Sequence, residues 1–445
     1  MLKKINRSLI WLASWIVMPV SIVWLLCQLL RHLPEYRQAD IVFHEVFMGN
    51  YGGGVQNTQI ARRHHKGKKI VATFLYEPGS THNLKLDLIY PDVLFLMIRK
   101  PCFVFHINGR KFRLPSDEIF IPIKDATSNF FMSLFAPGIG YQEYTQLAFY
   151  QQIPPQLEGA IPENYANMAM SGLYQFILWA GHLKKDHKDP SMARLRLPEP
   201  LRREIHEKLE AARHGREARL CMSYNKLEEV ADYVRQGSAM EDYLPSIRLL
   251  VARGYQVLLA GDRTLDQPHM EEFDGMVVDA QSLGVEKDMF RLFAPTEADI
   301  CIGDAGAGIL LPLVVGIPIL VLNFYTFSAG TPGTWVYPKR YVDEAGNTVP
   351  YHRVFEEDLH GIWEPAGKGP LRIFPVCNTE EEITEAMEYF LKDLASPGDE
   401  VPGEELMAVV PKISSFYSYG SRFSPAFVRR DRMVSAGGLP EKATA

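Results

Sequence analysis

The hydrophobic pattern of this chain changes character several times, and each change marks a segment. Leu9 through Leu30 carries no charge and is flanked by Lys3, Lys4 and Arg7 before it and Arg31 after it. A run of that length spans a bilayer as one helix, for which about 20 apolar residues suffice. It is too long for a cleaved signal peptide, and no small-x-small cleavage site follows it. Pro19 in mid-segment either kinks a spanning helix or turns the segment back as a re-entrant anchor. Positive residues on both sides leave only a slight lean toward a cytoplasmic N-terminus.

From Asp40 the apolar runs shorten and alternate with glycine and proline. Residues 41–47 read as a strand, 49–54 as a glycine loop and 55–63 as a helix, followed by strands over 69–76, 93–98 and 103–107. Residues 125–197, with aromatic runs and many prolines, read as an insertion or lid. Leu201, Ile205 and Leu209 mark one face of an amphipathic helix over 198–213, which leads into a strand at 218–223. Beyond it come a helix at 242–253, strands at 256–260 and 276–280, a helix at 287–294 and a strand at 299–303. Strands alternating with helices imply a parallel, doubly wound sheet whose ligands sit at the carboxyl ends of the strands. The predicted organisation is a membrane anchor at 1–34, an α/β domain at 35–215, a second at 216–396, and a tail at 397–445. The tail packs back in part, on the first domain, and its last ten residues are disordered.

The length of 445 residues fits two such domains better than one core. The composition, 47% hydrophobic and 22% charged, is that of a globular protein, and a net charge of -6 with interspersed signs excludes a nucleic-acid footprint. Cys27, Cys102, Cys221, Cys301 and Cys377 are far apart with no Cys-x-x-Cys, so they read as reduced thiols rather than a disulfide framework or a metal site. The basic run Arg62, Arg63, His64, His65, Lys66, Lys68, Lys69 ends the 55–63 helix. It is a solvated helix C-terminus, or a surface held against anionic lipid near the anchor.

The stretch with most chemistry is 298–323, ADICIGDAGAGILLPLVVGIPILVLN. It reads as a buried strand, a glycine turn over Gly303, Asp304, Ala305, Gly306, Ala307 and Gly308, a short apolar helix ending at Gly316, and a strand ending at Asn323. Glycines let the backbone turn tightly and approach a ligand, and the helix that follows points unpaired N–H groups forward, so the turn is a candidate phosphate seat. An ordinary αβ unit also needs a glycine turn.

With the order of these features in view, the chain resembles a family of bacterial glycosyltransferases of the GT-B fold. The matching residues are Gly52, Gly53 and Gly54 with Asn57 and Thr58, Asn83, the 219–223 strand, Gly254-Tyr255-x-Val257, and the 299–303 strand with Gly306 and Gly308. They continue with Gly316-Ile317-Pro318, Asn323, Pro338-Lys339 and Arg422-Phe-Ser-Pro-Ala-Phe, spanning about 40–432. The resemblance implies two doubly wound, Rossmann-type domains facing a cleft, behind an N-terminal membrane helix. It implies transfer of a sugar from a nucleotide-sugar to a lipid-linked or surface glycan, with no metal and no further cofactor. The donor diphosphate then rests on the 304–308 turn, with Asn323 at the donor sugar or base and Gly52, Gly53 and Gly54 forming a loop on the acceptor side. Where relatives carry basic residues, this chain has Ser223, Tyr224, Asn225 and Leu259, so the cation is expected from Lys226, Arg263 or Arg235. The base for the acceptor hydroxyl is expected at a strand end of the first domain, with Glu77 and His44 as candidates. The implied location is the inner membrane with both domains cytoplasmic. A sugar-nucleotide 2-epimerase of the same fold, or a catalytically silent glycan-binding scaffold, are the alternative functions.

Overall fold

The computed structural model describes residues 2–45, 51–76, 85–99, 103–107, 110–135, 140–143, 180–183, 186–189, 194–225, 237–324, 332–356, 373–396, 404–410 and 415–435. The chain is a mixed α/β protein with parallel sheets, in two compact units: Met1–Gln151 with Ser191–Ala193, and Gln152–Pro190 with Arg194–Ala445.

In the first unit, helix α1 (Leu2–Arg31) is continuous through Pro19 and is followed by α2 (Leu33–Arg37), β1 (Ile41–Glu45), α3 (Tyr51–His64), β2 (Ile70–Tyr76) and β3 (Val93–Arg99). A hairpin of β4 (Phe103–Ile107) and β5 (Arg110–Leu114), helix α4 (Asp117–Phe135) and β6 (Gly140–Glu143) complete it. The sheet order is β3-β2-β1-β6, all parallel, with Val42 and Val71 buried at its centre. Gly52, Gly53 and Gly54 correct the expected loop, because they lie in the first turn of α3. A glycine in a helix costs about 1 kcal/mol, and burial of Val55, Ile60 and Ala61 on the same helix offsets it. The expected insertion is also shorter at its start. Residues 125–135 continue α4, and 140–143 pair with β1.

The basic run at the end of α3 is not uniformly solvated. Arg62 is buried, with its Nε 2.8 Å from an Asp92 carboxylate oxygen and its guanidinium over the Tyr90 ring. His65 is buried as well, while Lys66, Lys68 and Lys69 are exposed.

The N-terminal helix is long and apolar enough to cross a membrane. Here one side of it is docked on the first unit. Met18 packs with Ile119 and Phe120 of α4, and Leu25 and Leu29 pack with Phe131 and Met132. The Gln28 side-chain amide donates to the Arg99 carbonyl at 2.9 Å and accepts the Arg99 amide at 3.0 Å. Since β3 is an edge strand of the sheet, this pair satisfies backbone groups that an open edge would leave exposed.

The second unit holds α5 (Glu199–Ala212), β7 (Arg219–Tyr224), α6 (Leu244–Ala252), β8 (Tyr255–Leu259), α7 (Gln267–Glu272), β9 (Val277–Asp279), α8 (Lys287–Glu297) and β10 (Ile300–Asp304). There follow α9 (Leu310–Val315), β11 (Ile319–Phe324), β12 (Trp335–Pro338), a small antiparallel sheet, α10 (Glu380–Ala395), a two-residue strand Arg422–Phe423 and α11 (Pro425–Ser435). Its large sheet has seven parallel strands, ordered Arg422–Phe423, β12, β11, β10, β7, β8, β9. The short helix α7, missed in the sequence, supplies a crossover between the parallel strands β8 and β9.

Two organisational expectations change. Helix α5 belongs to the second unit rather than the first. Ile205 and Leu209 on it are buried, Gln256 of β8 donates to the Leu209 carbonyl, and Arg202 and His206 both reach Glu297 of α8. The described part of the tail also joins the second unit: Arg422–Phe423 extends the sheet beside β12, and Phe423 stacks on Phe427 and Phe416. A segment next to an open edge gains ladder hydrogen bonds, and here Phe423 is buried with them, which the tail's polar composition conceals.

Candidate functional site: the carboxyl ends of the second sheet

In the seven-stranded sheet β7 lies between β8 and β10, so the chain winds outward in opposite directions from the β7/β10 boundary. The crevice at the carboxyl ends of such a pair is where open α/β sheets bind ligands. Tyr224 and Asn225 end one strand there, and the glycine turn ends the other.

The turn has nearly the local form expected from its sequence. The strand ends at Asp304, the helix runs Leu310–Val315, and Gly316 closes it in the left-handed conformation with φ 87°. Its surroundings are different. A Cβ at Gly303 would overlap the Tyr224 carbonyl, and one at Gly308 would overlap the Tyr224 ring. The Ala305 amide donates to the Leu322 carbonyl at 2.9 Å. One of the N–H groups assigned to a phosphate is therefore engaged inside the fold, and Gly303 and Gly308 make room for Tyr224. Burial, then Asp262 and Asp304, push the Tyr224 phenol upward, so it is neutral at physiological pH.

Asp304, 1% exposed, points away from solvent. One of its oxygens accepts from the Tyr243 hydroxyl at 2.8 Å and from the Asn323 side-chain amide at 2.5 Å. Asn323 sits at φ 51°, and its side-chain amide also donates to Ser238. Its side-chain oxygen accepts the Asn378 backbone amide, and its own backbone amide donates to the Asn378 side-chain oxygen. These contacts tie the end of β11 to the start of α10. The Asn323 side chain is thus engaged within the protein rather than presented to a donor sugar.

Beside this buried network is a cleft of about 240 Å³ at the carboxyl ends of β8 and β9, lined by Gly261, Arg263, Thr264, Asp279, Lys287 and Arg291 among others. Arg291 of α8 holds the β8 end by donating to the Gly261 carbonyl at 3.0 Å and to Asp262 at 2.7 Å. Asp279 ends β9. It accepts from Thr264 at 2.7 Å and from the Ser282 amide at 2.7 Å, which fixes its carboxylate at the cleft wall. Lys287 is the first residue of α8, where a cation opposes the positive end of the helix dipole. An anion at that position removes the conflict.

Of the residues singled out in the sequence, the structure places Arg263 in the cleft and Gly303, Asp304, Ala305, Gly306, Ala307 and Gly308 on the neighbouring turn. His44 lies on β1 in register with Thr73 and Glu143. Glu77, Lys226 and Arg235 fall outside the described residues. Tyr224, Asp279, Lys287 and Arg291 were missed. Lys287 and Arg291 had a usable signal, because an i, i+4 pair at a helix start shares one face.

No family model matches the chain, and no curated protein matches it. Among solved structures, a glycosyl transferase family 9 protein from Veillonella parvula DSM 2008 aligns with a TM-score of 0.38 and 12% identity, over 79% of this chain and 97% of that one. The iron-containing dodecameric glycosyltransferase TibC from enterotoxigenic E. coli H10407 aligns at 0.30 and 13%, over 67% of this chain and 61% of that one. The wall teichoic acid polymerase TagF aligns at 0.26 and 11%, over 73% and 80%. TM-scores this low decide neither fold nor activity.

Proposed function

We propose that the chain is a glycosyltransferase with two Rossmann-type units of GT-B plan, the second of which holds a nucleotide-sugar donor. The observation that carries this reading is the cleft at the carboxyl ends of β8 and β9, lined by Arg263, by Lys287 at a helix N-terminus and by the fixed Asp279 carboxylate. A carboxylate at a parallel-strand end suits the hydroxyls of a ribose. Positive charge beside it suits the diphosphate, and Arg263 stabilises the charge that develops as the nucleotide leaves, without a metal. Lys226, which follows Asn225 at the end of β7, is the second cation. The Gly303 to Gly308 turn ends the strand on the other side of β7, where Tyr224 packs against Gly303 and Gly308.

The base that takes the acceptor proton is placed at the carboxyl ends of the first sheet, on His44 or on Glu77 one residue past β2. The acceptor is a glycan carried on lipid or at a surface, in keeping with the apolar N-terminal helix. The packing of Tyr224 against Gly303 and Gly308, which fills the space beside the turn, favours a second reading, a silent scaffold with the same fold.

Calorimetry of the full chain with a panel of nucleotide-sugars tests both. Saturable binding that Arg263→Ala weakens, accompanied by release of nucleotide when acceptor is supplied, is the expected result. Binding without turnover under any acceptor leaves the scaffold, and no binding of any nucleotide overturns the donor cleft.

A further inference from the structure

Helix α1 is apolar toward solvent as well as toward the protein. Its docked side mixes Met18, Leu25 and Leu29 with polar groups. Ser14 and Ser21 are fully buried, Ser14 accepts the Ser116 amide at 3.0 Å, and Gln28 binds the Arg99 backbone. Its outward side carries Trp11, Trp15, Ile16, Val20, Val23 and Trp24, all exposed, Ile16 to 71%. Every exposed position from 11 to 30 is apolar or, at Cys27, a thiol. A helix selected for solvent turns its serines and glutamine outward and leaves no continuous apolar face exposed. Helix α4, packed against α1, exposes Phe130 and Leu134 in addition.

The face calls for an apolar partner, and its edges say which. Exposed Arg31 and Arg37 follow it, and Asp40 binds the Lys69 amide, which brings exposed Lys66, Lys68 and Lys69 to the same end. Lys3, Lys4 and Arg7 precede it. Cations at both ends of a tryptophan-bearing apolar face match an anionic leaflet: the indoles suit the headgroup boundary and the cations suit its surface charge.

The docking contacts also set the orientation. They run from Ser14 to Leu29, about 22 Å of helix at 1.5 Å per residue. A spanning helix would carry its partners on the first unit, α4 and the end of the edge strand β3, into hydrocarbon along that whole length, and open sheet edges do not face lipid there. We propose that α1 does not cross the bilayer but lies in its plane, with the outward face set into the acyl boundary of an anionic leaflet and the first unit seated on that leaflet. This goes beyond the transferase reading and holds whether or not a nucleotide-sugar binds.

The full chain is reconstituted with vesicles of phosphatidylcholine and phosphatidylglycerol containing lipids brominated at a shallow or a deep acyl position. Tryptophan quenching is then compared with that of the Trp11→Phe, Trp15→Phe and Trp24→Phe proteins. The difference signals isolate three residues spread along the helix. In-plane binding predicts that all three are quenched alike, and more by shallow than by deep bromines. Quenching that changes from shallow to deep along the helix shows a spanning segment and overturns the proposal. The absence of quenching overturns it too, and a dimer in solution then identifies a second copy as the cover. As a second measurement, Ile16→Asp and Val20→Asp each lower vesicle partitioning about tenfold, since one large apolar side chain is worth about that much, with circular dichroism unchanged. Unaltered partitioning in both counts against the face.

Discussion

The Tyr224 ring occupies the space that a side chain at Gly308 would need. A glycine turn that looks open in sequence is therefore closed by a residue on the adjoining strand, 84 positions earlier in the chain by its numbering. The relation makes Gly308 a packing requirement first, and it moves the exposed positive charge to the cleft beside the turn.

Gly308→Ala is expected to destabilise the second unit by about 1–3 kcal/mol, the usual cost of overpacking. The double variant Gly308→Ala with Tyr224→Ala should cost less than the sum of the two single changes, by about 1 kcal/mol or more, because the clash is gone. Urea unfolding of the four proteins gives the coupling. Strict additivity would mean that the two residues do not constrain one another.

Tyr243→Phe removes a hydroxyl that donates, alongside the Asn323 side-chain amide, to the buried Asp304 carboxylate. Loss of a donor to a buried charged group costs about 1–3 kcal/mol, and a lowered midpoint in chemical denaturation is expected. Burial and Asp304 hold this phenol well above its ordinary value, so the loss is the same at pH 7 and pH 8 in about equal measure.

Arg263→Ala should lower kcat/KM for sugar transfer by about a hundredfold, the scale of one lost transition-state charge contact, and Arg263→Lys should recover part of it. Asp279→Asn is expected to act mainly on KM for the nucleotide. Steady-state kinetics separate the two. If Arg263→Ala transfers at the rate of the parent, the cleft is not the donor site.

Glu77→Gln, if Glu77 is the base, lowers turnover by about 10²- to 10⁴-fold with donor affinity unchanged. His44→Gln does so if His44 is. Parent rates in both variants remove the base from the first sheet.

Glu297 joins α8 to α5. Burial raises its carboxyl, but His206, Arg202 and Arg196 together hold it below its ordinary value. A lowered folded pKa means that the unfolded chain takes up the proton first. The contribution is complete above about pH 5 and fades as pH falls through the ordinary carboxylate range and then the lower folded value. Stability measured by urea midpoint should fall on acidification, and Glu297→Gln should fall less steeply over the same range. An unchanged slope would show that this carboxylate is not linked to folding.

The sequence by itself determined what depends on neighbours along the chain. The strand, turn and helix around Gly303 to Gly316, the alternation that makes the second sheet parallel, and the apolar character of α1 follow from local periodicity, from glycine's freedom at Gly316 and from the absence of charge through Leu30. What it could not show were contacts between segments distant in the chain. That Gly52 to Gly54 continue a helix depended on the burial of Val55, Ile60 and Ala61. That Arg422–Phe423 becomes a seventh strand depended on the open edge of β12. That Asn323 turns inward depended on Asn378, and that the glycine turn is filled depended on Tyr224. The direction in which α1 presents its two sides was likewise set by Ser116, Arg99 and α4. Hydrophobic spacing specifies that a side chain must find apolar surroundings or a polar partner, and only the folded chain decides which partner is within reach.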